Sequence, residues 1–198
     1  MVMTSLINRY AEANIPVIYW MIDVAVEFHG SDDLKNKYIE LTSDLKKTYR
    51  KGAAICFAGS PGRGKTMTCT SILKRVIEFG NFSALYTTLP SMVSLIRSSS
   101  HEQFLGRQEL IFTDFLVIDE FDPRHMGSDA AADLFARILE DIFRIRQQNQ
   151  LPTLMCTNAL GKESMIKNFT GDLKTILDSL LSPVEMVIAS GKDYRKTK

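Results

Sequence analysis

GSPGRGKT, at residues 59–66, matches the pattern G-x-x-x-x-G-K-[ST] at every fixed position. The glycines of this pattern let backbone N–H groups turn inward and hold phosphate oxygens. Its lysine reaches the terminal phosphates, and the hydroxyl of its last residue ligates Mg²⁺. The residues expected to contact ATP are Gly59, Ser60, Pro61, Gly62, Arg63, Gly64, Lys65, Thr66 and Met67. The stretch therefore predicts a P-loop that binds ATP and Mg²⁺, with Thr66 as a metal ligand and Lys65 as a catalytic residue.

Short apolar strands alternate with helices on both sides of this loop. AAICFA at 53–58 stands between glycines and predicts a buried strand that leads into the loop. The helix after the loop is expected to continue to Phe79, with Gly80 ending it. Further strands are predicted at 82–86, 115–118, 153–156 and 186–189, helices at 31–51, 91–97, 128–145, 160–169 and 173–181, and a polar, loop-rich stretch at 98–108. This alternation is typical of an α/β fold whose parallel sheet is covered by helices on both faces.

Polar residues follow two other predicted strands, at the end where α/β sheets bind their ligands. FLVIDE at 115–120 ends in two acids. Asp119 is expected to hold Mg²⁺, directly or through water, and Glu120 to act as the general base that polarises the attacking water. Asn158 follows the strand at 153–156 and is expected to orient that water against the terminal phosphate. Together with the P-loop, these residues predict ATP hydrolysis.

The three motifs, in this order, resemble the AAA+ (ASCE) class of P-loop ATPases. That resemblance implies a five-stranded parallel sheet in the order 5-1-4-3-2, flanked by helices. Over almost all of its length the chain also resembles the bacterial and phage replicative-helicase loaders of the DnaC/DnaI family. The matching segments are RY at 9–10, ANIP at 13–16, LYTTLP at 85–90, Arg146, LPT at 151–153, TN at 157–158 and KDYR at 192–195.

The loader resemblance implies a protein that places a ring-shaped hexameric helicase on single-stranded DNA at the initiation of DNA replication. ATP binding would favour assembly and DNA contact, and hydrolysis would reset the complex. Arg195 would be a sensor arginine near the ATP phosphates. Because AAA+ sites commonly lie between subunits, self-association through the ATP sites is also expected.

The chain departs from the loader pattern in two places. Loaders usually carry a separate helicase-binding domain, whereas residues 1–50 are expected to form only a helical extension of an ATPase core at 51–198. Ser179 stands where the family places an arginine that acts on a neighbouring subunit's phosphate. Since such arginines accelerate hydrolysis by ~10³-fold or more in some P-loop enzymes, hydrolysis is expected to be slow unless another arginine substitutes. The candidates are Arg124, Arg144 and Arg146.

Composition limits how the chain could contact DNA. The formal net charge is +1, so the molecule as a whole has no strongly basic field. DNA contact would need a local patch, and basic residues cluster at the end of one predicted helix and in the tail. These clusters are Lys46, Lys47, Arg50 and Lys51, and Lys192, Arg195, Lys196 and Lys198.

The remaining features predict a cytoplasmic protein without a membrane partner. The beginning of the sequence lacks the pattern of a signal peptide, and no apolar run approaches membrane-spanning length. The three cysteines are not clustered and are expected to be reduced, mostly buried thiols. They are Cys56, Cys69 and Cys156.

Two other functions share parts of this pattern. A transposition-helper ATPase resembling the IstB family would have the same core and the terminal Tyr-Arg element, and would form filaments on duplex DNA. The sequence LPT at 151–153 and its spacing from Arg146 favour the loader. A small-molecule kinase would need a lid with arginines, and the Asp119–Glu120 pair together with Asn158 argues against it.

Overall fold

The computed structural model describes residues 2–22, 24, 28–96, 99–122, 129–167 and 171–194. Its strands are β1 (Ala54–Ala58), β2 (Ala84–Thr88), β3 (Phe115–Asp119), β4 (Thr153–Thr157) and β5 (Glu185–Ile188). Its helices are α1 (Val2–Glu12), α2 (Asp32–Ser43), α3 (Leu45–Lys51), α4 (Lys65–Arg75), α5 (Leu89–Ile96), α6 (Ser100–Phe112), α7 (Asp129–Gln148), α8 (Lys162–Ile166) and α9 (Gly171–Leu181). A 3₁₀ turn at Val17–Tyr19 and a π-helical turn at Val76–Gly80 complete the described elements.

The five strands form one parallel sheet in the order β2-β3-β4-β1-β5. Read from the other edge, this is the order 5-1-4-3-2, so the sheet expected from the AAA+ resemblance is confirmed. The register pairs Ala58 with Thr157 and Thr88 with Asp119. The carboxyl ends of β1, β3 and β4 therefore lie side by side, and the segments that leave them share one edge of the sheet.

Alternate residues of the central strands enter two separate apolar cores. On β3, Leu116 and Ile118 pack in the core beneath α5, α6, α7 and α9. Phe115 and Val117 point to the opposite face, where α4, α2 and the N-terminal residues cover them. Strands buried on both faces explain why the sequence shows continuous apolar runs instead of alternation.

Residues before β1 are packed on the sheet edge and on α4. The backbone N–H of Tyr86 in β2 donates to the carbonyl of Ala13 at 2.8 Å. The buried Lys74 of α4 donates through Nζ to the carbonyls of Tyr19 at 3.2 Å and Ile22 at 2.6 Å. The 3₁₀ turn is thereby held against the helix that begins at the P-loop.

The structure differs from several sequence-based element assignments. The helix predicted at 31–51 is interrupted, because Asp44 adopts an extended conformation and caps α3 by accepting a hydrogen bond from Lys47 N at 2.9 Å. The prediction of a loop-rich stretch at 98–108 was wrong, because α6 begins at Ser100. Ser99 and Glu102 form a capping box there, and this reciprocal pair nucleates the helix despite its polar sequence.

Smaller differences affect element ends. Strand β2 begins two residues later than expected, and helix α8 ends at Ile166. The helix predicted through Phe79 changes to a π-helical turn after Arg75. The predicted start at Ser128 lies outside the described residues. All three cysteines are free and buried, as expected. Within the described ranges, no helix combines the length and apolar composition needed to cross a lipid bilayer.

Candidate nucleotide-binding site

The loop at 59–64 connects the carboxyl end of β1 to the amino end of α4. Gly64 is the N-cap of α4 and has φ +88°, a left-handed conformation that favours glycine. A Cβ at this position would clash with the carbonyl oxygen of His29. A Cβ on Gly59 would lie 2.6 Å from the carbonyl oxygen of Ala189. The loop therefore needs glycine at these positions both for its conformation and for the closeness of its neighbours.

Lys65 lies at the start of α4 and is buried. Its Nζ donates to the carbonyl oxygens of Gly59 at 2.7 Å and Ser60 at 2.9 Å. It also donates to Oδ1 of Asn158 at 3.1 Å. Because β4 pairs with β1, the residue after β4 reaches the ammonium group. The structure thus brings together the P-loop lysine and the asparagine that the sequence placed 93 residues away.

Asp119 is a buried acceptor at the end of β3. Its Oδ2 accepts hydrogen bonds from Thr66 Oγ1 and from Tyr86 OH, each at 2.8 Å. Its Oδ1 accepts from the backbone N–H of Glu120 at 2.7 Å. A threonine hydroxyl beside a carboxylate is a pair of hard oxygen donors, the kind that Mg²⁺ prefers. The donor set therefore fits the metal expected from the sequence, with Thr66 and Asp119 as the residues that could hold it.

Glu120 follows directly and is exposed, with φ +51°. A left-handed conformation is uncommon for a residue other than glycine, and such positions concentrate at functional sites. The turn is fixed on its far side, because Phe121 N donates to the carbonyl of Cys156 at 2.7 Å. Glu120 is consequently turned away from the core while Asp119 remains inside it.

These residues line one open cavity of about 710 Å³, a volume within the range of small-molecule sites. Every described residue expected to act at the site lines it, except for Gly59 and Ser60, whose carbonyls hold Lys65. Positive charge from Arg63, Lys65 and Lys192 surrounds the space. Nη1 of Arg63 is buried and has no hydrogen-bond partner among the described residues. The cavity therefore fits a polyphosphate.

Three aromatic residues complete the cavity wall and were not assigned to it from the sequence. They are Tyr19, His29 and Tyr194. Tyr194 lies across the P-loop: its N–H donates to the carbonyl of Gly62 at 2.9 Å, and its hydroxyl donates to that of Gly30 at 2.7 Å. Only Tyr194 carried a sequence indication, the KDYR segment, and the adjacent Arg195 lies outside the described residues. Burial and the nearby Asp119 carboxylate raise the pKa of Tyr19 above its ordinary value.

The arginines considered as replacements for the one absent at Ser179 have different surroundings. Arg146 is fully buried and cannot reach a neighbouring subunit. It donates six hydrogen bonds, five to the carbonyls of Leu110, Ile111, Thr113, Asp114 and Pro152, and one to Thr153 Oγ1. Burial lowers its pKa to about 10. Arg144 is exposed and paired with Glu140 at 2.6 Å, and Arg124 lies outside the described residues.

The structure describes one of the two basic clusters in full and the other in part. Lys46, Lys47, Arg50 and Lys51 are all exposed on α3. Lys192 lies at the nucleotide cavity, with Nζ 5.6 Å from the centre of the Tyr194 ring. The remaining tail residues of that cluster lie outside the described part of the chain.

A parallel sheet with a phosphate-binding loop after its first strand and an Asp-Glu pair at the end of its third defines a P-loop nucleoside triphosphatase. The model of the family described as "ATPase family associated with various cellular activities (AAA)" matches residues 55–178, well over half of the chain. The chain therefore belongs to the AAA family of ATPases, which bind and hydrolyse nucleotides. No curated protein compared with the chain matches it significantly.

Solved structures with the same fold include two proteins that share nearly their whole length with the chain. A DnaI structure superposes with a TM-score of 0.69 at 16% identity, over 88% of this chain and 94% of that one. A DnaC helicase loader gives 0.62 at 19% identity, over 88% and 100%. The replication initiator DnaA, bound to AMPPCP and single-stranded DNA, gives 0.66 at 13% identity, over 90% and 51%. At these identities the similarity establishes a shared fold.

Proposed function

We propose that the chain is an ATP-dependent loader that places a hexameric replicative helicase on single-stranded DNA. The observation that carries this proposal is the extent of the match: the chain superposes on 94% of DnaI and on all of the DnaC helicase loader. The loader-like segments of the sequence extend beyond the ATPase motifs, and two of them, LYTTLP and KDYR, contribute residues that contact Asp119 and the P-loop.

The proposed roles of the site residues follow from their hydrogen bonds. Bound Mg²⁺ would neutralise phosphate charge, and Thr66 and Asp119 would hold it. Lys65 now satisfies its ammonium group with two loop carbonyls and Asn158. When ATP binds, the ammonium N–H groups that now donate to these carbonyls would donate to phosphate oxygens instead. A hydrogen bond to a charged phosphate is stronger than one to a neutral carbonyl.

Asn158 and Glu120 would then act on the attacking water. The Asn158 amide lies within hydrogen-bond distance of Lys65 Nζ, which supports a role beside the terminal phosphate that Lys65 would bind. Glu120 is exposed at the cavity mouth, where its carboxylate would accept the proton of that water as general base.

Slow hydrolysis suits a switch that must persist in its ATP state. Ser179 is exposed on α9 and cannot supply a positive charge to a neighbouring site. Among the described candidates, Arg146 is buried and Arg144 is already paired. We expect the isolated chain to turn over slowly and self-association to use the ATP site, with an arginine of the helicase or of the undescribed segments accelerating hydrolysis.

The helicase-contacting surface is proposed to include the 3₁₀ turn of the N-terminal extension. Val17, Ile18 and Met21 are 68%, 74% and 78% exposed, which is unusual for three apolar residues in so short a stretch. Tyr19 of the same turn lines the nucleotide cavity. A helicase bound to these side chains would therefore contact the same 3₁₀ turn that contributes Tyr19 to the nucleotide cavity. Single-stranded DNA would contact the exposed basic face of α3.

The experiment is native mass spectrometry of the chain mixed with the replicative helicase of its source, with ATP, with ADP and without nucleotide. The proposal predicts a discrete complex that requires ATP. The Lys65→Ala variant should not form the complex, and Ile18→Asp should bind ATP normally and still fail to form it. Absence of any complex, together with filaments on duplex DNA, would instead support a transposition helper of the IstB type.

A further inference from the structure

The carboxylate of Asp119 receives one hydrogen bond that no P-loop motif supplies. Thr66 belongs to the phosphate loop and the Glu120 N–H to the acidic motif itself. The third donor, the hydroxyl of Tyr86, comes from β2 and lies 2.8 Å from Oδ2. This contact joins the edge strand of the sheet to the proposed Mg²⁺ ligand.

The register of the sheet explains how Tyr86 reaches Asp119. Strand β2 pairs with β3 so that Tyr86 stands opposite Val117. Asp119 is two residues further along β3 and therefore on the same face as Val117. With parallel strands ~4.8 Å apart and a rise of ~3.3 Å per residue, the Cα atoms of such diagonal neighbours lie ~8 Å apart, a span that a tyrosine side chain covers. Phenylalanine at the same position would keep the packing and lose only the hydrogen bond.

The position of Tyr86 is fixed from the outside as well. β2 is an edge strand, and the backbone N–H of Tyr86 donates to the carbonyl of Ala13 on its open side. The N-terminal extension is thereby attached to the residue that holds Asp119.

We propose that Tyr86 is a positioning residue for the Mg²⁺ site, which it serves by orienting the Asp119 carboxylate. This inference rests on the proposed function, since it assumes that Asp119 and Thr66 hold Mg²⁺ beside ATP. Residues that orient a metal ligand through a hydrogen bond typically change metal affinity ~10–100-fold when removed. The Tyr86 hydroxyl donates its hydrogen bond to the metal ligand Asp119 and not to the P-loop. Its loss should therefore weaken Mg²⁺ binding without weakening Mg²⁺-free ATP binding.

The test compares Tyr86→Phe with Tyr10→Phe, which also removes a hydroxyl bonded to a carboxylate, that of Glu78, away from the cavity. A fluorescent ATP analogue is titrated into each protein in EDTA and then over a series of Mg²⁺ concentrations. In EDTA the wild type, Tyr86→Phe and Tyr10→Phe should all bind the analogue equally. The Mg²⁺ concentration that gives half of the Mg²⁺-dependent gain in affinity should be about tenfold higher for Tyr86→Phe alone.

The controls separate failure of this inference from failure of the proposed function. If the wild type does not bind the analogue, or gains nothing from Mg²⁺, the proposed function itself is contradicted. If the wild type gains affinity and Tyr86→Phe has the same Mg²⁺ dependence, only the role of Tyr86 is overturned. If Tyr86→Phe binds more weakly in EDTA or melts several degrees below Tyr10→Phe, the residue is structural and the inference is also overturned.

Discussion

Replacement of Arg146 by methionine should destabilise the fold without acting directly on nucleotide hydrolysis. The guanidinium group is fully buried and donates to five backbone carbonyls and one hydroxyl. Two of those carbonyls, of Leu110 and Ile111, belong to the last turn of α6, where a helix leaves its acceptors unsatisfied. Methionine keeps the aliphatic length of the side chain and removes every donor.

The size of the effect follows from the acceptors left behind. A buried group that loses its hydrogen-bond partner costs about 1–3 kcal/mol, and several carbonyls lose theirs together. The loss is partly offset because the buried charge is no longer desolvated, a cost that its lowered pKa reflects. We expect a net loss of about 3 kcal/mol in the free energy of unfolding, which lowers Tm by roughly 6–12 °C in a chain of this size.

The assay is thermal and urea denaturation followed by circular dichroism, with Arg144→Met as the matched control. Arg144 lies two residues away, is exposed, and forms only a surface ion pair with Glu140. Its loss should cost about 0.5 kcal/mol or less. Equal stability of the two variants would refute this account of Arg146. So would an Arg146→Met protein that melts like the wild type and loses ATPase activity only when it self-associates, since that behaviour belongs to a trans-acting arginine.

Three further predictions concern the nucleotide site. Glu120→Gln should bind ATP with unchanged affinity and hydrolyse it at least about 100-fold more slowly, because the amide cannot accept the water's proton; a smaller loss in a steady-state phosphate-release assay would contradict the role of general base. Asn158→Ala should lower kcat with little change in ATP affinity in the same assay, whereas a change in KM alone would indicate a contact made only in the ground state. Gly64→Ala should abolish ATP binding in calorimetry, since its left-handed backbone and the closeness of the His29 carbonyl leave no room for a methyl group; retained binding would show that the loop can rearrange.

Local sequence patterns were sufficient to predict the sheet and the centre of the site. The P-loop pattern depends on residues adjacent in the chain, so the sequence places Lys65 and Thr66 directly. Apolar runs predicted all five strands within two residues at each end, because strands covered on both faces tolerate few polar residues. The order of the strands came from the family resemblance and not from the runs themselves.

The contacts that the sequence could not predict involve elements far apart in the chain. Tyr86 reaches Asp119 only because of the strand register, and the LYTTLP segment gave it no role at the site. Tyr19 lines the cavity only because of the packing of the 3₁₀ turn. From the sequence alone, Arg146 could be an ordinary charged residue on the surface. Only the tertiary fold shows that it donates hydrogen bonds to the last carbonyls of α6. Helix α6 was not predicted because its polar residues were read as a loop. The capping box that begins at Ser99 nucleates the helix.

The most direct test of nucleotide binding at this site is isothermal titration of Mg²⁺–ATP into the wild type, Lys65→Ala and Lys162→Ala. Lys65 lines the cavity, whereas Lys162 forms a surface ion pair with Asp178 at 3.0 Å and serves as the control for loss of a lysine. The account predicts micromolar binding by the wild type and Lys162→Ala, and no detectable binding by a folded Lys65→Ala protein. Undiminished ATP binding by Lys65→Ala would contradict it.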